Sequence, residues 1–160
     1  AGGALAVASF LITSDLHPAW QCRPGSGCEW MDINGNRILV NPASATSVRI
    51  LRELANKYAP DGESFLAVPV LPGAYALLER KAPVWEIYAL FPRPESFELR
   101  EIERLKEADP KFVLLLDAAV DGREELRFRN IHPITYKYIE ENFDLMRSPY
   151  PKYFVYVRRR

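Results

Sequence analysis

An uninterrupted apolar run constrains the fold of this chain more than any other feature. It is the F-V-L-L-L of the segment from Lys111 to Asp117, which reads K-F-V-L-L-L-D. A strand without polar alternation is buried on both faces, which is typical of a central strand in a parallel sheet. Helical segments alternate with short strands around this run, as in layered α/β proteins. The sequence therefore predicts an α/β fold, specifically a three-layer α/β/α sandwich with a mostly parallel sheet.

The length of 160 residues suits a single domain with a proper core. We expect residues 42–160 to form the α/β core and residues 1–41 to form an irregular N-terminal segment with a hairpin. The hairpin is predicted at M-D-I-N-G-N-R-I-L-V, because Asn34-Gly35 between apolar residues is the strongest short hairpin signal. Ala4 to Ile12 is apolar but too short to span a bilayer. We interpret it as a core element, with the end of a transmembrane helix as the alternative.

Prolines and caps divide the core into elements. Asn41-Pro42 favours a helix start, because Asn accepts hydrogen bonds from free amides and Pro suits the first turn. The clearest helix runs from Ser96 to Ala108, and its spacing predicts inward Leu99, Ile102 and Leu105 and water-facing Glu98, Glu101, Arg104 and Glu107. The remaining predicted elements are strands at Ser64 to Val68 and Val84 to Phe91, helices from Pro72-Gly73 to before Pro83 and from Pro133 to Phe143, and a closing strand from Lys152 to Arg158 paired with Leu145 to Arg147.

The only two cysteines flank a tight turn in Q-C-R-P-G-S-G-C-E. Such a turn brings the Cα atoms of Cys22 and Cys28 within bonding range. We expect an intramolecular disulfide, which indicates an oxidising compartment. Two unpaired thiols in a cytosolic loop are the alternative.

Charge and motif content narrow the possible functions. The formal net charge is zero, so we expect no nucleic-acid partner. Arg158 to Arg160 form either a solvated chain end or a contact for an anionic lipid or phosphate headgroup. Two cysteines and two distant histidines make no metal-ligand set, and the sequence contains no nucleotide-binding or hydrolase motif. We therefore expect no metal, cofactor or catalytic residue.

Some chemically capable residues have ordinary structural interpretations. His17 and His132 each precede a proline and are predicted to be turn residues. Asp117 and Asp121 follow the apolar strand, where paired acids can act as a base or as metal ligands. Asp121-Gly122 is equally a turn, and Asp117 equally a loop cap, which is the interpretation we favour.

The candidate binding residues are Gly73, Ala74, Tyr75 and Arg80. They lie in V-P-V-L-P-G-A-Y-A-L-L-E-R, where a helix begins after a strand, the usual ligand position of α/β sheets. Free amides at Gly73 and Ala74 suit an anion, and Tyr75 and Arg80 add a hydroxyl and a charge. The structural alternative is that the prolines set the turn, Tyr75 packs and Arg80 caps the helix.

An ordered set of motifs extends over residues 42–159. It comprises Tyr58 to Gly62 (Tyr-x-Pro-x-Gly), then Pro69, Pro72, Tyr75, Leu77, Arg80 and Pro83 (Pro-x-x-Pro-x-x-Tyr-x-Leu-x-x-Arg-x-x-Pro), then Asp109 to Leu116, then His132-Pro133 through Tyr138, Ile139, Asn142 and Phe143, and finally Tyr153 to Arg159. This set resembles the extracytoplasmic C-terminal region of polytopic GT-C glycosyltransferases, which include protein-mannosyltransferase-like and aminoarabinose-transferase-like enzymes. Two positions depart from that pattern: Glu79 replaces a common glycine, and His132 replaces an aromatic residue.

The resemblance implies a role in a larger enzyme. The parent would be a membrane glycosyltransferase that uses a polyprenyl-phosphate-linked sugar donor, and its acidic catalytic residues would lie in a loop outside this sequence. This chain would be an accessory domain on the extracytoplasmic (periplasmic) face of the inner membrane. Its partners would be the transmembrane part of the same polypeptide and a polyprenyl-phosphate sugar or an acceptor glycan. The alternative is a free-standing periplasmic or secreted module that binds sugar or protein.

Overall fold

The structure, a computed structural model, describes residues 3, 21–119, 121–148, 150–151 and 153–159. The chain divides into two compact units, Ala1–Ile50 and Leu51–Arg160. The predicted apolar element from Ala4 to Ile12, together with His17, lies outside the described residues. No helix of the described part has both the length and the apolar character needed to cross a membrane.

The first unit contains the predicted hairpin and disulfide. Strands β1 (Glu29–Ile33) and β2 (Asn36–Val40) pair antiparallel around a turn at Asn34 and Gly35, both with positive φ. The disulfide Cys22–Cys28 is formed, with its Cα atoms 5.3 Å apart. Both sequence predictions are therefore confirmed.

Helix α1 (Pro42–Tyr58) begins where the sequence predicted. The side-chain oxygen of Asn41 accepts a hydrogen bond from the Ser44 amide at 2.9 Å, so an otherwise unpaired helix-start donor is satisfied. Pro42 occupies the first helical position, where a missing amide proton costs nothing.

The second unit is built around a four-stranded sheet in the order β3-β4-β6-β5. The strands are β3 (Leu66–Val68), β4 (Phe112–Leu116), β5 (Phe143–Met146) and β6 (Tyr153–Arg158). Helices α2 (Gly73–Leu77), α3 (Glu95–Ala108), α4 (Phe128–Ile131) and α5 (Pro133–Asn142) connect them, with a short 3₁₀ turn at Glu124–Leu126.

The apolar run is a buried central strand, as expected. Val113 and Leu115 of β4 belong to a core cluster with residues of α3 and α5, including Leu105 and Ile139. On the opposite face, Phe112 stacks on Phe65 with ring centroids 5.2 Å apart. Both faces of β4 are therefore covered by side chains.

The prediction of a mostly parallel sheet is wrong. Only β3 and β4 pair parallel; β4 and β6 pair antiparallel, as do β5 and β6. The reason is local: β5 and β6 are neighbours along the chain, and β6 returns antiparallel to fill the second edge of β4. The observed fold is a mixed α/β fold with a mostly antiparallel sheet, and the three-layer arrangement stays a prediction.

The segment from Val84 to Phe91 is not a strand, contrary to the prediction. Its amides bond to groups outside the sheet: those of Trp85 and Glu86 donate to the carboxylate of Glu101, and that of Ala89 donates to the carbonyl of Pro69. The prolines at positions 83, 92 and 94 bound this segment. Because these amides already have partners, they do not pair with a neighbouring strand.

The predicted orientation of α3 is also wrong in part. Ile102 and Leu105 face the core, but Leu99 is 47% exposed, whereas Glu98 and Glu101 are only 2% and 5% exposed. Glu98 accepts hydrogen bonds from the amide and hydroxyl of Thr135, at 2.9 and 3.0 Å. These bonds compensate for the burial of a carboxylate, so helical periodicity alone assigned the wrong face.

Candidate functional site

Tyr75 of the predicted binding segment lies in the interior. Its ring stacks on Phe65 at 5.0 Å, and its hydroxyl oxygen accepts a hydrogen bond from the Ala67 amide at 3.0 Å. Burial raises the pKa of Tyr75 to about 12, so the phenol stays protonated. In this structure Tyr75 anchors β3 to α2.

Gly73 and Ala74 begin α2, as predicted, but α2 has five residues only. The Ala74 amide already donates to the carbonyl of Leu71 at 3.0 Å, and Ala74 is buried. Gly73 is exposed, with open space around it. The helix start therefore offers fewer free donors than the sequence suggested.

Arg80 lies after α2 and joins three backbone segments. Its guanidinium donates to the carbonyl of Leu78 at 3.1 Å, and more weakly to those of Ala59 and Glu63 at 3.4 and 3.5 Å. Gly62 makes this position possible, because a Cβ there would lie 3.0 Å from the guanidinium. Arg80 thus links the end of α1 to the turn after α2.

Arg80 also lines a pocket of about 590 Å³, and the other three predicted binding residues do not. The pocket contains the side chains of Lys81, Trp85, Arg104 and Glu107. The structure therefore separates the predicted set, with Tyr75 and Ala74 inside the fold, Gly73 at the surface and Arg80 in the pocket.

This pocket, which we call the Arg80 pocket, has a modest excess of positive charge. Three cationic residues and one carboxylate, Glu107, are among its described lining residues. Arg104 forms an ion pair with Glu101, whereas no carboxylate of the described residues pairs with Arg80. The charge of Arg80 is thus uncompensated by an acid.

Trp85 stands at the pocket with 70% of its surface exposed. The backbone amide of Trp85 donates a hydrogen bond to the Glu101 carboxylate at 2.8 Å. The Trp85 ring packs edge-on against Phe97, with the ring centroids 6.3 Å apart. Sequence reasoning missed Lys81, Trp85 and Arg104, because Val84 to Phe91 was predicted to be a strand and Arg104 to be an ordinary solvated residue.

A second pocket, of about 530 Å³, lies where the parallel strands β3 and β4 end. Pro69, Val70 and Leu116 contribute to it, with the exposed aromatic rings of Tyr88 and Phe91. This is the strand end at which the sequence placed a ligand. Its lining is mainly apolar, and the polar side chains there include those of Asp121 and Arg123.

The two aspartates that follow β4 have structural surroundings. The carboxylate of Asp117 forms an ion pair with Arg127 at 3.1 Å rather than the predicted loop cap, and Arg127 also pairs with Glu124. Asp121 lies exposed in a turn with φ of 52°. No group of three or more His, Cys, Asp or Glu in the described part of the chain is arranged to hold a metal ion.

His132 is a buried residue at the junction of α4 and α5, 4% exposed and stacked on Phe128 at 5.1 Å. Burial lowers the pKa of its imidazole. Its Nε2 has no hydrogen-bond partner among the described residues. A small cavity of about 20 Å³ adjoins it, which suffices for little more than a water molecule.

The arginines at the C-terminal end already have acidic partners where they are described. Arg158 pairs with Asp109 at 3.2 Å, and Arg159 pairs with Asp144 at 2.8 Å. Arg158 and Arg159 are therefore ion-paired on the folded surface, and the contact with an anionic lipid or phosphate headgroup stays a prediction.

Comparison of the chain with protein-family models, with curated proteins and with solved structures finds no match.

Proposed function

We propose that this chain is an accessory extracytoplasmic domain of a polytopic membrane glycosyltransferase that uses a polyprenyl-phosphate-linked sugar donor, and that it has no catalytic site of its own. The ordered motif set from Tyr58 to Arg159 carries this proposal. Its partners are the transmembrane part of the same polypeptide and the lipid-linked donor or the acceptor glycan.

The structural roles of the motif residues support the proposal, because a residue with a role in the fold is one that members of a family would share. Tyr75 fixes β3, Arg80 ties the end of α1 to the turn after α2, and Gly62 leaves room for the guanidinium. Glu79, where the family commonly has glycine, adopts φ of 52°, a conformation that glycine adopts at little cost. The left-handed backbone at position 79 therefore agrees with the glycine that the family commonly has there.

The disulfide supports an extracytoplasmic location, since disulfides persist in oxidising compartments. The exposed face at the Arg80 pocket supports a role in positioning an anionic donor next to the membrane part.

The coding sequence upstream of Ala1 provides a direct test. We expect it to encode several hydrophobic spans of about 20 residues each. An upstream sequence without such spans would exclude the accessory-domain proposal. Tight sugar binding by the isolated 160-residue chain, measured on a glycan array, would favour the free-standing binding module instead.

A further inference from the structure

The Arg80 pocket has the size of a small-molecule site. Its volume of about 590 Å³ lies in the range of roughly 300–1,000 Å³ that is usual for ligand pockets. Such sites combine apolar and aromatic walls with a few convergent polar groups. Here Pro83, Val84 and Trp85 provide the apolar wall.

The guanidinium of Arg80 is the best-placed anion donor. It is partly buried, and its bonds to the carbonyls of Ala59 and Glu63 are long, at 3.4 and 3.5 Å. A guanidinium carries more N–H donors than its three carbonyl partners take up here. A phosphate group accepts such donors in pairs and also neutralises the charge.

Lys81 and Arg104 extend the positive surface around Arg80. Lys81 is exposed next to Arg80 in the chain, and the Glu101 carboxylate holds Arg104 in place. Ser64 lines the same pocket, and its hydroxyl is buried with no hydrogen-bond partner in the described part of the chain.

Trp85 adds an aromatic surface to the pocket. Its indole is exposed and packs edge-on against Phe97, while its backbone amide donates to the Glu101 carboxylate. The C–H face of a pyranose ring is apolar and packs against a flat aromatic ring. An exposed indole beside the cationic side chains of Arg80 and Lys81 therefore suits a sugar ring that carries a phosphate.

We propose that the Arg80 pocket binds a sugar phosphate, with the phosphate at Arg80 and Lys81 and the sugar ring against Trp85. The inference deepens the proposed function and rests on it for the assignment of this group to a polyprenyl-phosphate sugar. The same chemistry is offered by a soluble sugar 1-phosphate, so the experiment separates the two sources.

The test uses the 160-residue chain and follows backbone amide and indole resonances by NMR. Glucose 1-phosphate is the probe, with inorganic phosphate and glucose as matched controls. We expect glucose 1-phosphate to shift the resonances of Lys81 and Trp85, with a Kd of about 1–10 mM, because a partly exposed site yields modest affinity. Phosphate should bind about tenfold more weakly, and glucose should give no shifts at the same concentrations.

Two variants at exposed residues test the pocket, and both are expected to leave the fold intact. Lys81→Gln should weaken binding about fivefold, and Trp85→Ala should remove the preference for glucose 1-phosphate over phosphate. Lys106→Gln is the control, since Lys106 is an exposed α3 lysine outside the pocket lining. Arg80→Gln is less informative alone, because Arg80 also joins three backbone segments.

Vesicles with and without undecaprenyl phosphate glucose distinguish the source of the sugar phosphate. Cosedimentation of the chain with the vesicles that carry this lipid, weakened in Lys81→Gln, supports a lipid donor; binding of glucose 1-phosphate without cosedimentation supports a soluble one. No shift of the pocket resonances at 20 mM glucose 1-phosphate, or equal effects of Lys81→Gln and Lys106→Gln, would overturn the inference. Sugar transfer by the full-length protein is a separate readout, so the proposed function can survive that outcome.

Discussion

Glu98 and Glu101 show how single side chains decide the local structure. Each lies inside the fold and accepts hydrogen bonds from groups distant in sequence: Glu98 from Thr135, and Glu101 from the amides of Trp85 and Glu86. Buried carboxylates are tolerated only with such partners. These two residues therefore set the face of α3 and the course of the segment that follows α2.

We predict that Glu101→Ala lowers the free energy of unfolding by about 2 kcal/mol, because hydrogen bonds to a charged group are lost. Urea denaturation measures this change, and hydrogen exchange should quicken at the amides of Trp85 and Glu86. Glu103→Ala is the matched control: Glu103 is exposed on the same helix, and its loss should change stability by less than about 0.5 kcal/mol. Equal losses in both variants would contradict the assigned role of Glu101.

His132 predicts a pH dependence of stability. Burial lowers the pKa of its imidazole in the folded state, while nearby Glu98 and Glu86 act in the opposite direction and Arg93 adds to the lowering. The unfolded chain therefore binds more protons below pH 6.5, the ordinary value of histidine, so stability falls as the pH falls through that region. The depressed carboxyl pKa values of Asp109 and Glu124 act only in more acidic solution, below their ordinary values.

We expect the wild-type chain to lose stability between pH 7.5 and pH 5.5, and His132→Gln to lose less over the same interval. Urea midpoints at the two pH values measure the difference. His17→Gln controls for the other histidine of the sequence. A wild-type pH profile that His132→Gln leaves unchanged would exclude His132 as its source.

At the scale of elements, the end of α2 depends on one residue with a left-handed backbone. Glu79 has φ of 52°, which costs a residue with a side chain about 1 kcal/mol. We predict that Glu79→Gly raises the free energy of unfolding by up to about 1 kcal/mol. Thermal or urea unfolding measures this change.

Ala76→Gly is the control for Glu79→Gly, and the opposite change in stability is expected from it. Ala76 lies within α2, where glycine costs about 1 kcal/mol relative to alanine. The two glycine variants should therefore move stability in opposite directions. If Glu79→Gly destabilises the chain as much as Ala76→Gly does, the left-handed conformation at position 79 is wrong.

Local signals in the sequence were sufficient for some elements and insufficient for others. The Asn34-Gly35 hairpin, the Asn41 cap of α1 and the return of β6 beside β5 depend on neighbouring residues, and all were predicted. The strand predicted at Val84 to Phe91 failed because its amides bond to Glu101, a residue further along the chain. Strand direction failed for a similar reason, since a buried apolar strand is compatible with either direction of its neighbours.

Of the four candidate binding residues, the structure places Arg80 in a pocket, and its binding role stays a prediction. Tyr75 and Ala74 turned inward, because the Ala67 amide and the core around Phe65 offered partners that the sequence did not reveal. Trp85 was missed because a strand assignment hid its exposure.

At the scale of the whole molecule, the disulfide between Cys22 and Cys28 indicates an oxidising compartment. Closing the short loop between Cys22 and Cys28 contributes roughly 2 kcal/mol on the chain-entropy model. We expect no reactive thiol in the unfolded, unreduced protein on titration. Two titratable thiols would contradict the bond and remove the main compositional support for an extracytoplasmic location.

We propose that sugar transfer requires a membrane part beyond these 160 residues, with this chain as an accessory domain. The most direct measurement is release of radiolabelled sugar from polyprenyl-phosphate donors, compared between membranes that contain the full-length protein and the purified 160-residue chain. We expect release by the membranes, reduced in the Arg80→Ala full-length protein, and none by the purified chain. Sugar release by the purified chain alone would contradict it.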